Sequence, residues 1–154
     1  MVFLCFIAFI AAVIVIALII SKIQGDKFNK KVQAYSDRHV HKVLVNYVYD
    51  FIAIDVNSQE LTYISPGKQI TFTRSQIADV KIVEKIAPSS SDPYPGEPDE
   101  YKVNVVITLE NSGVKAIKIN CVQSASRGSF LYNSGYDSAR AIEDVMVKVK
   151  NGII

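Results

Sequence analysis

The stretch that decides the fold is YKVNVVITLENSGVKAIKINCV, residues 101–122. Apolar and polar residues alternate over residues 101–110, and the turn residues 111–113 interrupt the pattern before residues 114–122 resume it. Alternation with period two is typical of a β-strand with one buried face, and a short polar turn containing glycine is typical of a hairpin. The stretch therefore predicts two antiparallel strands. The second strand is expected to turn three side chains inward: Ile117, Ile119 and Cys121.

Upstream, residues 43–86 have the composition of further strands, because they are rich in β-branched and aromatic residues. Turns are predicted at residues 56–59 and 65–68, where Pro66 and Gly67 occupy the positions that a type II turn favours. A single helical turn is predicted at residues 74–77. In all, six or seven antiparallel strands are expected.

Residues 87–100 contain four of the five prolines and predict a long exposed loop. Whether this loop is also a binding element is left open. After the last strand, a helix is predicted over residues 135–151. Ser134 and Asp137 match a capping box, and Gly152 is a plausible residue for the position just after the helix.

The N-terminal part has a different character, since residues 2–20 contain no charged side chain. Nineteen residues in a helix measure about 28 Å, close to the bilayer hydrocarbon core of about 30 Å. Residues 1–21 are therefore predicted to be a transmembrane helix. A cleaved signal peptide is the alternative, but no basic residue precedes the apolar run and the run is longer than usual for such a peptide. Gly25 is expected to end this helix.

Residues 22–42 are predicted to be a basic juxtamembrane helix or linker, with two acids among the bases. The membrane-proximal basic residues are Lys22, Lys27, Lys30, Lys31, Arg38 and Lys42. Because basic flanks resist translocation, they predict that the C-terminal domain lies in the cytoplasm. Attraction to anionic lipid headgroups is a second, compatible interpretation.

Composition and motifs argue against several functional classes. Seventeen basic and fifteen acidic residues leave a net charge of +2, which excludes a polyanion binder that depends on overall charge, so no nucleic acid partner is expected. Two cysteines cannot form a disulfide scaffold. No nucleotide-binding, metalloprotease or hydrolase motif is present. We therefore expect no enzyme, with no catalytic residue, cofactor or metal.

Three further groups of residues are weaker candidates for metal binding, catalysis or anion binding. His39 and His41, with Asp37, would share a face only on a strand, and a helix is predicted there. Asp50 and Asp55 are expected on opposite faces of an extended segment, which argues against a catalytic pair. The run at residues 124–129 could hold an anion, but it has no suitably spaced lysine and is expected to be an ordinary loop.

Four segments together resemble bacterial pleckstrin-homology-like (PH-like) domains. They are Phe51-Ile52-Ala53-Ile54-Asp55, Leu61-Thr62-Tyr63, Ile70-Thr71-Phe72 and Ile77-Ala78-Asp79-Val80. The final helix, from Tyr136 to Val149, matches the helix that closes one end of their barrel. With the N-terminal span, the whole chain resembles uncharacterised small single-pass bacterial membrane proteins.

The resemblance implies an α+β fold: a transmembrane helix, then a mostly antiparallel PH-like split β-barrel over residues 43–154, closed by the C-terminal helix. It implies a bacterial inner membrane and carries over no binding site. The function expected is a membrane-anchored, non-catalytic interaction module that docks a protein partner by an open sheet edge or a loop. Recognition of membrane lipid or another anion by the domain and the basic segment is the alternative.

Overall fold

The computed structural model describes the backbone of residues 2–36, 42–45, 50–55, 57–65, 67–87 and 99–154. Within these ranges it leaves out the side chains of residues 2–9, 11, 35, 36 and 42–45. The chain divides into two compact units, Met1–His39 and Val40–Ile154. Each unit is described by itself.

The first unit is one uninterrupted helix, α1, over Val2–Ser36. The prediction that Gly25 ends the helix is wrong. A glycine inside a helix costs only about 1 kcal/mol relative to alanine, and the neighbouring lysines and glutamines favour helix enough to offset it. The predicted juxtamembrane helix is therefore the second half of α1, but it stops at Ser36. Lys42, expected in that helix or linker, instead begins the first strand.

Within the part of the chain that the structure describes, no helix is both long enough and apolar enough to cross a membrane. About half of the side chains of the predicted span, residues 2–9 and 11, lie outside that part.

The second unit contains two antiparallel sheets. The first joins β1 (Lys42–Val45), β2 (Phe51–Asp55), β3 (Glu60–Ser65) and β4 (Lys68–Thr73) in sequence order. A 3-10 helix at Arg74–Gln76 leads to the second sheet, of β5 (Ile77–Ile86), β6 (Glu100–Leu109) and β7 (Ala116–Ser126). The chain ends in α2, Phe130–Lys150. The α+β class, the seven antiparallel strands and the terminal helix are confirmed. Among the described strands the two sheets do not join into a closed barrel.

The core lies between the inner faces of the sheets and α2. Val103, Val105 and Ile107 of β6 are completely buried, as their alternation predicts. On β7, Ile117 and Ile119 are buried too, but the next buried side chain is Val122. Cys121, predicted to share their face, packs against the core but is only partly buried, because the register between β6 and β7 shifts here. Such a bulge inserts one residue and changes which side chains face inward.

Helix α2 begins earlier than the predicted residue 135. Its N-cap is Ser129, whose hydroxyl accepts a hydrogen bond from the Tyr132 N–H at 3.2 Å. The predicted capping box is wrong, since Ser134 and Asp137 lie inside the helix. The predicted end is confirmed: Gly152 has a φ of +73°, and the Ile153 N–H donates to the Lys148 carbonyl at 2.9 Å. These features form a Schellman motif, in which glycine adopts the left-handed conformation at low cost.

Candidate functional site

The basic residues predicted next to the membrane are only partly brought together. Lys22, Lys27, Lys30 and Lys31 are all exposed on α1. At about 100° per residue they fall within half of the helix circumference, and Asp26 lies among them. Arg38 lies outside the described residues, and Lys42 belongs to β1. The helix therefore presents four of the six predicted bases on one side.

The preceding part of α1 exposes its apolar side chains. Nine large apolar residues there are 43–65% exposed: Ile10, Val13, Ile14, Val15, Ile16, Leu18, Ile19, Ile20 and Ile23. Consecutive residues such as these point in every direction around the helix. In water this surface would remain uncovered.

A second feature lies at the start of α2, where three tyrosines and two arginines contact one another. The Tyr132 and Tyr136 rings stack with centroids 5.8 Å apart, and Tyr101 meets Tyr132 edge-on at 6.3 Å. Arg127 lies over the Tyr101 ring at 4.4 Å, and Arg140 lies over the Tyr136 ring at 5.1 Å. Cation–π and ring contacts of this kind hold the tyrosine and arginine side chains in place.

Electrostatics reinforce the cluster. Glu84 accepts hydrogen bonds from Arg127 at 2.8 and 2.9 Å. This hydrogen bond raises the pKa of Arg127 above its ordinary value. Desolvation, together with the negative charge of Glu84, raises the pKa of Tyr132. Arg140, in contrast, forms no salt bridge with any described residue, so its guanidinium remains available to a carboxylate from another molecule.

Two large apolar side chains adjoin this cluster at the first turn of α2. Phe130 is 82% exposed and Leu131 is 63% exposed. Phe130 also lines an open depression of about 560 Å³ along the outer side of α2. We call Phe130, Leu131, Tyr132, Tyr136 and Arg140 the α2 docking surface. At about 100° per residue it extends around the first three turns of α2, with the two tyrosines and Arg140 on one side and the two apolar residues on the other.

Sequence reasoning missed this surface. Tyr132, Tyr136 and Arg140 recur at intervals of four, which places them on one side of a helix. That signal was hidden because the helix was predicted to begin at residue 135. Tyr101 and Arg127 come from other elements, and only the folded chain brings them near.

A buried carboxyl group lies directly before β2. Asp50 is 8% exposed and accepts a hydrogen bond from the Tyr63 hydroxyl at 3.0 Å. Burial raises the pKa of Asp50, although the hydrogen bond from Tyr63 opposes the change. Burial likewise raises the pKa of Tyr63 to about 12. The pKa of Cys121 rises to about 11, chiefly because of burial, so its thiol stays protonated and unreactive at neutral pH.

The remaining candidates have structural roles. Asp55 accepts a hydrogen bond from the Asn57 N–H at 2.9 Å and so stabilises a turn, away from Asp50. In the run at residues 124–129, Ser124 bonds to Glu100 and Ser129 caps α2. Among the described residues, no group of three metal-binding side chains could hold an ion. His39, His41 and Asp37 lie outside those residues, as do residues 88–98 of the predicted loop.

The outer edge of β5 is not open, because α2 covers it. The Glu143 carboxylate accepts a hydrogen bond from the Ile82 N–H at 3.1 Å, and the Lys150 ammonium donates to the Ala78 carbonyl. Charged side chains therefore satisfy backbone groups of β5 that a pairing strand would otherwise use. This edge does not provide the open strand that docking by sheet extension needs.

Comparison with known protein families, curated proteins and solved structures finds no match to this chain. The resemblance to bacterial PH-like domains stays a prediction from the sequence.

Proposed function

We propose that this chain is a membrane-anchored, non-catalytic interaction module whose domain docks a protein partner through the α2 docking surface. The observation that carries the proposal is the exposure of Phe130 and Leu131 beside tyrosines that arginine side chains hold in place. Tyrosine and arginine are enriched at protein interfaces and account for much of the binding energy there. Because Arg140 has no acidic partner among the described residues and lies about 15 Å along α2 from Phe130, we expect the partner to offer apolar side chains and, about 15 Å away, a carboxylate.

Anchoring by residues 2–20 is supported by their lack of charge and by the exposed apolar side chains of α1. A helix that is apolar on all sides requires an apolar environment, either lipid or another protein. The bases that follow favour a cytoplasmic location for the domain. The four-stranded sheet, the three-stranded sheet and α2 occur in the order expected of a PH-like split barrel, which we propose as the fold type.

Docking is tested by purifying the tagged full chain from cells in mild detergent. A specific partner should accompany the wild type and be lost from the double variant Phe130→Ser, Leu131→Ser. The matched control is Val147→Ser, which replaces another exposed apolar residue of α2. If the partner binds the double variant as well as it binds the control, the docking surface is wrong.

Anchoring is tested by extracting membranes with alkaline carbonate. The wild type should resist extraction, whereas Ile10→Asp with Val13→Asp should be released, because an acidic residue at mid-span costs about 3 kcal/mol. Ser21→Asp, at the edge of the span, is the control. A wild-type chain that carbonate extracts fully would contradict anchoring.

Orientation is tested by a reporter fused after Ile154 and by changing Lys22, Lys27, Lys30 and Lys31 to Glu. The wild-type reporter should be cytoplasmic and the variant should show mixed topology. An unchanged variant would show that the flanking charge does not set the topology.

The alternative function is recognition of lipid headgroups or another anion. It is favoured by the four lysines that α1 presents on one side next to the predicted span. Each base near an anionic leaflet contributes about 1 kcal/mol.

A further inference from the structure

The outer face of the second sheet, which points away from α2, is rich in lysine. In β5 and β6 the residues between the buried positions point outward, and the register pairs Lys85 directly with Lys102. Four residues further along β6, Val106 pairs with Lys81 on one side and with Lys118 on the other. We call these four residues the lysine face: Lys81, Lys85, Lys102 and Lys118.

The strand geometry gives the dimensions of the lysine face. Lys81 and Lys118 are two strand spacings apart, about 10 Å, and Lys81 and Lys85 are separated by about 13 Å along β5. The other residues on this side between them, such as Val83 and Asn104, carry no charge. The lysine face therefore presents four lysines within an area of about 10 by 13 Å.

Acidic residues lie at the two ends of this face: Asp79 in β5, and Glu100, two residues before Lys102 in β6, whose carboxylate bonds to the Ser124 hydroxyl. Asp79 pairs with Lys81 at 3.6 Å, and both side chains are more than half exposed. Lys85, Lys102 and Lys118 form no salt bridge with any described residue. Like charges directly opposite each other on adjacent strands destabilise a sheet. An anion bound between Lys85 and Lys102 would remove that repulsion.

We infer that the lysine face binds the anionic headgroups of the membrane leaflet next to which α1 holds the domain. An area this small can lie against a planar lipid surface in spite of the twist of the sheet. The alternative polyanion, single-stranded nucleic acid, is favoured by aromatic side chains on which bases stack, and the outward positions of β5 and β6 offer none. Tyr101 lies on the opposite face and contacts Tyr132 of α2.

The expected affinity is weak unless the domain is tethered. Each lysine near an anionic leaflet strengthens binding about fivefold, so four give several hundredfold and a dissociation constant near 1 mM. A short tether supplies an effective concentration of about 4 mM, which keeps about four fifths of the domains bound and slows modification about fivefold. The inference thus rests on the proposed membrane anchoring, which makes this weak contact sufficient.

The test measures how fast an amine-reactive acetylating reagent modifies each lysine of the full chain, followed by mass spectrometry. The chain is mixed with vesicles of phosphatidylcholine alone or with about one third phosphatidylglycerol, at millimolar lipid and low salt. We expect modification of the lysine face to slow at least about fivefold with the anionic vesicles, and Lys68, on the other sheet, to change little. High salt should abolish the difference.

Charge variants assign the effect to this face. In Lys85→Gln with Lys102→Gln, protection of Lys81 and Lys118 should fall to within about twofold of the rate with neutral vesicles. The control Lys68→Gln with Lys115→Gln removes two exposed charges elsewhere and should retain full protection. Circular dichroism and thermal melting of both variants check that they fold.

Equal modification with the two kinds of vesicle, or equal protection of Lys68, would overturn the inference. Protection by an added oligonucleotide or acidic polypeptide, but not by anionic vesicles, would overturn it as well. The proposed anchoring is tested separately: if it is wrong, the full chain will not float with neutral vesicles in high salt. The modification rates at millimolar anionic lipid still test the lysine face in that case.

Discussion

Replacing Gly135 by alanine should destabilise the domain, although alanine is the better helix former. Gly135 lies where α2 comes closest to β7. A Cβ atom there would be 2.4 Å from Cγ2 of Val122 and 2.6 Å from the carbonyl oxygen of Cys121. Ordinary contacts of a Cβ begin near 3.4 Å, so α2 would have to move away by about 0.8 Å.

The magnitude follows from two opposing effects. Alanine instead of glycine inside a helix stabilises it by about 1 kcal/mol. Overpacking a close contact costs about 1–3 kcal/mol, and the cost falls at the upper end here because one of the clashing atoms belongs to the backbone of β7. We therefore expect Gly135→Ala to lower the free energy of unfolding by about 1–2 kcal/mol.

Urea unfolding of the full chain in mild detergent, followed by near-ultraviolet circular dichroism of the tyrosines, measures this change. The control is Ser134→Ala, one residue earlier and exposed. It gains helix propensity without a clash and should be neutral or slightly stabilising. A Gly135→Ala protein as stable as the wild type, or more stable, would refute the close approach of α2 to β7.

Three further predictions concern single contacts. Burial raises the pKa of Asp50 above its ordinary value of 3.8, so the carboxyl keeps its proton to higher pH in the folded domain than in the unfolded chain. This group therefore makes the free energy of unfolding fall as the pH rises above about 3.8. Asp50→Asn should remove that part of the pH dependence, measured by urea unfolding between pH 4 and 7, whereas the exposed Asp137→Asn should leave it unchanged. Gly152→Ala should lower the free energy of unfolding by about 1–2 kcal/mol, because φ is +73° and the new Cβ would meet the Arg74 guanidinium. The control is Gly113→Ala, whose Cβ would lie in open space, and an equal loss of stability there would contradict the reasoning. Glu143→Ala should cost about 1–2 kcal/mol by leaving the Ile82 N–H without its acceptor, and the Glu143→Gln protein, which keeps an acceptor oxygen, should lose less than half as much in thermal melts.

Local sequence patterns predict much of the fold. The alternation over residues 101–110 identified β6 and its buried side, since the side-chain period of a strand does not depend on its partners. Gly67, with a φ of +76°, and Gly152 end their elements as their positions in the sequence indicate. The α+β class and the seven antiparallel strands follow from the same kind of signal.

What the tertiary structure alone decided depends on contacts between residues distant in sequence. The division into sheets of four and three strands depends on which strands pair. The bulge that buries Val122 but Cys121 only in part depends on the register of that pairing. The contact of Tyr132, in the first turn of α2, with Tyr101 of β6 depends on how the helix packs against the second sheet. The lysine face likewise exists only because the register of β5, β6 and β7 places four scattered lysines on one side. Local periodicity identifies each element and its buried side. The free energy gained when the elements pair and bury one another decides where they end and which surfaces they form together.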